Sequence, residues 1–593
     1  MTQRRADRLP VEPRELVALI AVLGVAALAR FIGLPGRGTW DADQGHDMLV
    51  LLGLVRDGSI PLLGPPTSIG DFHHGALYYY LLAPAAFLSG ANPTAVVAEI
   101  ALAGVAAVAV TWWLARSIAG PVAGIVAAAV MAISSSAIDE STFIWNPNLI
   151  ALSSAVALAG AWRARTTGRV RWWLVAAFGV LVTMQCHVLG IALLPPVVAL
   201  WVVSWRASPP GPERRRLVQA GAACVAIILI GYIPLAVHEL THNFAESRAA
   251  IAFIASGGTG VTLSLPARLL FVGLRILAWP LTGLLVNPGP TTGPSLVMGV
   301  VAGVLVAAGL AWRAGQSHGR ERAAARWLAA TLLFGWIVLT FGAAGLATVT
   351  PLPVDHYHAF LDPVVFVALG IGVAAVWRGA GRRPGDRPAG ERPGDQVPVG
   401  DATDESTGEA ALPPRVVAGV LVVGLAVLIA WNVAIWPPAV AADGGWPAGR
   451  AAADRIEAAT GGRRTNFVSL PDFKSADAYR FPVERDLPGS TTSVDDTVFS
   501  RVEPTALVIV CDSLFVRDCG GPAEQAVAMT PGSTLRLVDR WEAAPGRTIS
   551  VYVVPSGADD VPRTNANAGP PVAGVRDPRD PDVEGGIRVD GGG

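Results

Sequence analysis

Charge is scarce in this chain: only 15% of its 593 residues are Asp, Glu, Lys or Arg, where a soluble domain carries about a quarter. With 52% hydrophobic residues and a mean hydropathy of +0.47, that deficit excludes an ordinary soluble protein and points to a membrane protein. Lysine is almost missing, Lys474 being the only one, so arginine supplies nearly all positive charge. The net charge of −1 gives no reason to expect a nucleic-acid partner. Cysteine is limited to four residues, and no CxxC pair of the zinc-site type occurs. Cys186 and Cys224 lie in apolar runs and read as inert core residues. Cys511 and Cys519 lie in the polar segment CDSLFVRDC. There a disulfide forms if the segment faces an oxidising compartment, and two unrelated thiols remain if it does not. A Walker-type loop, a GxGxxG after a strand and an HExxH are all lacking, so nothing matches nucleotide-sugar chemistry.

What is present is a series of apolar runs. A span needs roughly 20 apolar residues, and runs occur at 15–33, 95–115, 121–138, 148–162, 171–186, 188–205, 217–237, 295–312, 326–347, 359–377 and 416–436. Arginines mark alternate loops: Arg4 to Arg14, Arg116, Arg163 to Arg171, Arg206 to Arg216, Arg313 to Arg326 and Arg378 to Arg415. The loops near 139–147, 187 and 348–358 have neither Arg nor Lys. Positive loops stay in the cytoplasm, so about eleven spans are expected, with the N-terminus inside and the C-terminus outside. The first run lacks a small-residue cleavage site and reads as a retained anchor. Apolar stretches at 75–90 and 266–286 fall inside loops already placed outside. They are expected as juxtamembrane or re-entrant helices, the alternative being ordinary spans.

The fold class expected is therefore an α-helical polytopic membrane protein with a small extracytoplasmic C-terminal α/β domain. Residues 1–377 form the transmembrane domain, 378–415 a disordered cytoplasmic linker and 416–436 the last transmembrane helix. Residues 437–560 form the α/β domain, in which AADRIEAAT reads as helix and NFVSL, ALVIVC and TISVYVV as strands. Residues 561–593 read as a disordered tail.

The first outer loop holds the densest chemistry. TWDADQGHDM places Asp41, Asp43 and Asp47 within seven residues, and DFHHGALYYYLL follows. A carboxylate just outside a span stays ionised and can take a hydroxyl proton as general base, although solvated loop acids are the plainer reading of such a cluster. The first span ends in Arg-Phe, an acidic segment follows, and His74-Gly75-Ala76-Leu77-Tyr78 comes after it. This order resembles the C-type (GT-C) glycosyltransferases of the protein O-mannosyltransferase and aminoarabinose-transferase group, over roughly residues 15–377.

The resemblance implies a GT-C fold with juxtamembrane helices, in a membrane glycosyltransferase whose active site faces outward. It would move a sugar from a polyprenyl-phosphate carrier, with inversion, to a glycan, lipid or protein acceptor of the cell envelope. Asp43 is the counterpart of the catalytic base and Asp41 its competitor. Gln44 stands where the family has an acid, and the two prolines of the family's His-Pro-Pro-Leu-Tyr motif are missing. His74 and Tyr78, with His356, Tyr357 and His358 of DHYHAFLDP, would face the lipid phosphate. Arg248, Arg268 and Arg275 are further cationic candidates, the last two on one helical face if they do not simply snorkel to headgroups. Asp139, Glu140 and Asn146 fall in the second outer loop as acceptor- or sugar-binding candidates, with helix capping as the alternative for Asn146. His238 and Glu239 sit at a span edge that could line the same cavity, and His187 reads as a structural hairpin residue. No obligatory cofactor or metal is expected, although paired outer aspartates are able to bind a divalent cation. The competing readings are a transporter or flippase, for which inverted repeats are lacking, and an inactive scaffold of the same fold.

Overall fold

The computed structural model describes residues 11–67, 72–255, 264–283, 293–316, 319–342, 356–380, 414–471, 475–493, 505–513, 516, 518–528 and 535–555. The tail expected at 561–593 and nearly all of the linker expected at 378–415 lie outside the described residues. The first half of the chain contains α1 (Pro13–Phe31), α2 (Leu34–Arg37), α3 (Ala42–Asp57), the short ribbon β1 (Leu63–Pro66) and β2 (His73–Gly75), and α4 (Leu77–Ser89). There follow α5 (Pro93–Ala119), α6 (Pro121–Ile133), α7 (Ser135–Asp139), α8 (Ile150–Thr167), α9 (Arg171–Cys186), α10 (Leu194–Ala207), α11 (Pro212–Gly231), α12 (Ile233–Thr241) and α13 (Ala245–Ala255). The bundle continues with α14 (Leu265–Thr282), α15 (Gly293–Gln316), α16 (Gly319–Ile337), α17 (Asp362–Ala380) and α18 (Pro414–Ala434). Beyond it lie α19 (Gly445–Thr460), β3 (Thr465–Leu470), α20 (Asp477–Asp486), β4 (Thr491–Ser493), β5 (Ala506–Asp512), α21 (Pro522–Ala528), β6 (Arg536–Ala544) and β7 (Arg547–Val553).

Small residues let the bundle helices approach closely, as expected where lipid removes the hydrophobic drive between helices. A Cβ on Gly179 of α9 would sit 2.6 Å from the backbone nitrogen of Ala157 on α8. Helix α17 is apolar on every side and buried throughout Val364–Leu369, so it forms the centre of the bundle. Arg30, fully buried at the end of α1, donates to the carbonyls of Ala26, Met131, Ala132 and Ala137 and to Ser141 Oγ. It ties α1 to the end of α6 and to α7. Arg30→Met is expected to destabilise the protein by on the order of 3 kcal/mol, because carbonyls bonded to a charged donor lose it and stay buried. Thermal melting in detergent measures this, and an unchanged midpoint would contradict it.

Among the described residues, five helical segments are long and apolar enough to cross a membrane: α5, 188–207, α14, 319–341 and 359–378. Helices α11 and α12, bent by 48°, pass together as a sixth. Helix α14 is fastened at both ends. At its start Arg268 reaches the carbonyl of Thr340 and the Leu269 carbonyl accepts from Trp336, both at the far end of the α16 segment. At its other end Trp431 and Asn432, at the end of α18, donate to the Thr282 and Leu281 carbonyls, and Ser134 donates to Pro280. All these partners lie at the end of the bundle that carries residues 41–47. Helix α4 stays there as well: Gln185 Oε1, at the end of α9, accepts from the Leu77 backbone, and a tight Gly90–Ala91 turn leads into α5.

The C-terminal domain is a five-stranded sheet in the order β4-β3-β5-β7-β6. Strands β4, β3 and β5 are parallel, and β7 and β6 add antiparallel to that edge. β3 and β5 are buried almost throughout, and β5 reads accordingly as a nearly continuous apolar run. Cys511, on β5, is disulfide-bonded to Cys519 with a Cα–Cα distance of 5.7 Å. The domain rests on α3 through α20.

Candidate active site

Helix α3 begins at a complete capping box. Asp41 is extended and its Oδ1 accepts from the Ala42 backbone at 2.7 Å, while Gln44 Oε1 accepts from the Asp41 backbone at 2.8 Å. Gln44 Nε2 then donates to the Ile144 carbonyl at 2.8 Å, fastening the turn to the second outer loop. Gln44 thus has a definite task in capping and anchoring. Asp43 lies in the first turn, exposed, and one turn before Asp47. The positive end of the helix favours its carboxylate. Asp41 is engaged differently, since its Oδ2 lies 2.6 Å from Arg547 Nη2 of the C-terminal domain. Both of its oxygens are therefore engaged.

Asp47 is buried and accepts from the Tyr78 and Tyr79 hydroxyls, each at 2.8 Å. Burial pushes its carboxyl up to about 7, against the pull of His46 and the two hydroxyls. This corrects the reading of Tyr78 as a phosphate ligand: on α4 its ring points into the α3–α4 interface, fully buried, and its hydroxyl is committed to Asp47. Asn146 is corrected in the same way. Its Nδ2 donates to the Cys186 carbonyl at 2.5 Å from a buried position, so it neither caps a helix nor opens to a ligand, and instead ties the loop to the end of α9.

His74 and the 356–358 segment do meet, through a residue taken from the sequence as merely structural. The His187 ring lies 5.2 Å from His74, 5.1 Å from His356 and 5.6 Å from Tyr357. Trp145 packs on His356 at 4.3 Å. Burial, with the neighbouring imidazoles, holds His74 and His187 well below the usual histidine range, so both are neutral at neutral pH. Beside them His358 Nδ1 is 3.1 Å from Asp362 Oδ1, and Glu140 Oε1 accepts from Trp279 of α14 at 2.9 Å. Burial and the Asp362 charge push the Glu140 carboxyl well up, and burial raises Asp139 to about 6 against the attraction of Arg37. Arg275, one turn before Trp279, is 1% exposed, so it does not snorkel; Arg268 is half-buried at the start of α14.

Arg248 is exposed on α13. His238 stacks on His242 at 4.0 Å, Glu239 accepts from Ser247, and Glu246 binds His73, so this second cluster braces α12 and α13 against β2. His187, Trp145, Trp279 and Asp362 were missed as site residues. Trp145 and Asp362 stood in the two segments already singled out, whereas nothing local marks Trp279. Beside the Asp43 turn, a small pocket with room for about one water molecule is bounded by Trp40, Gln44, Phe143, Ile144 and Trp446.

No protein-family profile and no curated protein matches the chain. Solved structures do. ArnT from Cupriavidus metallidurans in the apo state is similar with a TM-score of 0.52 and 14% identity, over 90% of this chain and 97% of that one. The same protein bound to undecaprenyl phosphate gives a TM-score of 0.54 and 15% identity, over 91% and 98%. Over about nine-tenths of its length the chain has the fold of ArnT.

Proposed function

We propose that this protein is an integral-membrane glycosyltransferase that moves a sugar from a polyprenyl-phosphate donor to a cell-envelope glycan, lipid or protein, with inversion. The observation that carries the reading is the meeting of His74, His187, His356 and Tyr357 at the same end of a GT-C bundle as Asp43. In this reading the bundle crosses the membrane about eleven times, with the N-terminus cytoplasmic and the C-terminal domain outside, as the arginine distribution requires. The acceptor hydroxyl attacks the anomeric carbon and its proton passes to Asp43. A new glycosidic C–O bond forms, the bond from the anomeric carbon to the phosphate oxygen breaks, and lipid phosphate leaves. Donors aimed at that phosphate stabilise the charge it gains; His74, His356, Tyr357 and Arg275 are the groups assigned to it. The direct test offers the purified protein a panel of polyprenyl-phosphate sugars and scores free lipid phosphate. Absence of release from every donor would overturn the reading.

The neutral histidines add a pH dependence. A phosphate anion beside His74 and His187 raises their affinity for protons, so the complex holds more protons than the free protein. Undecaprenyl phosphate binding is therefore expected to tighten as pH falls below the ordinary imidazole value, by up to about tenfold per pH unit for each proton taken up. Titration between about pH 5 and 8, with His74→Phe for comparison, measures it. Equal slopes for both proteins would remove His74 from the phosphate site.

A further inference from the structure

In a parallel α/β sheet the ligand crevice lies beyond the carboxyl ends of the strands, where the strand order reverses. That point falls here between β3 and β5: β3 leads to β4 on one side, and β5 leads on to β6 and β7 on the other. The crevice has room for about one water molecule and is bounded by Ser469, Ser475, Tyr479, Asp512 and Arg547 of the domain and by Asp41, the cap of α3. What enters it is this chain's own helix start. Arg547, the first residue of β7, ion-pairs with Asp41 at 2.6 Å and also donates to the Trp40 carbonyl at 3.3 Å. The Trp40 indole donates to the Ala478 carbonyl at 2.7 Å and packs against Trp446 and Phe481. Further along α3, His46 meets Asp477 at 3.2 Å and Arg56 meets Glu484 at 3.0 Å. The capping residue two positions before Asp43 is thus gripped from a domain joined to it only through the distant end of the chain.

We propose that the C-terminal domain acts as a positioning element for the Asp43 turn, with Arg547 as the positioning residue that holds the Asp41 cap. The proposal rests on the glycosyltransferase reading given above. Arg547 touches no reacting atom; it fixes the first turn of α3, and with it the direction in which the Asp43 carboxylate points. Proton transfer to a positioned base is sensitive to such placement, since a displacement of about 1 Å can cost on the order of a hundredfold.

The test compares the full-length wild type, Arg547→Met and Arg547→Lys. Arg547→Met is expected to lower kcat by about tenfold or more, leave KM for the lipid donor unchanged, and speed amide hydrogen exchange over residues 42–46. Arg547→Lys keeps a cation in reach of Asp41 and is expected to recover much of kcat, which a merely structural loss would not do. Faster exchange with full kcat in Arg547→Met would show that the grip does not serve catalysis, and unchanged exchange would show that there is no grip; either overturns the proposal. A wild type inactive with every donor sinks the glycosyltransferase reading, and the exchange comparison then still reports separately on the grip.

Discussion

Asp43→Asn is expected to slow sugar transfer by about 10²–10⁴-fold, the usual contribution of a positioned general base, while donor binding and melting behaviour stay as in the wild type. The asparagine is the same size, sits in an exposed first-turn position and leaves the capping box of Asp41 and Gln44 intact. The substitution removes the capacity to accept a proton together with the carboxylate's charge. Asp41→Asn separates the two candidates. Asparagine caps helices about as well as aspartate, so this variant loses chiefly the charge paired with Arg547. Its loss should therefore be smaller and should resemble that of Arg547→Met. Full turnover in Asp43→Asn together with a severe loss in Asp41→Asn would transfer the role of base to Asp41.

Much of the helical framework is legible because a bilayer imposes simple rules. Apolar length finds the helices, and the arginine-free loops near 139–147 and 187 find the end of the bundle where the site lies. The strand readings NFVSL, ALVIVC and TISVYVV correspond to β3, β5 and β7, which are rich in buried apolar residues. The polar strand β6 carried no such pattern. Side-chain direction is where reading stops. Tyr78 and Tyr79 look equally available for a ligand until α4 is seen to press both onto Asp47. His187 looks like a hairpin residue until α9 and the 356–358 segment bring three imidazoles together. The Asp41–Arg547 pair spans nearly the whole chain, and no local signal could announce it.

Gly45→Val is expected to be the most disruptive single change on α3. A Cβ at Gly45 would lie 2.2 Å from the carbonyl carbon and oxygen of Asp477 and 2.3 Å from the Ala478 nitrogen, all backbone atoms that cannot swing aside. A glycine inside a helix costs about 1 kcal/mol relative to alanine, and α3 bears that cost because α20 approaches it this closely. A β-branched side chain must force the two helices apart, at about 1–3 kcal/mol or more for an overpacked contact. The separation breaks the bond from the Trp40 indole to the Ala478 carbonyl and the His46–Asp477 contact next to it. The C-terminal domain should then be cut from the bundle by limited proteolysis far faster than in the wild type, with a parallel fall in transfer. Gly53 on the same helix supplies the control. Its added Cβ would meet only Ser59 Cβ, at 3.8 Å, an ordinary contact. Gly53→Ala should be neutral or slightly stabilising through better helix propensity. If both variants melt and digest like the wild type, the close seating of α20 on α3 is wrong, and with it the route by which a domain some 430 residues downstream reaches the Asp43 turn.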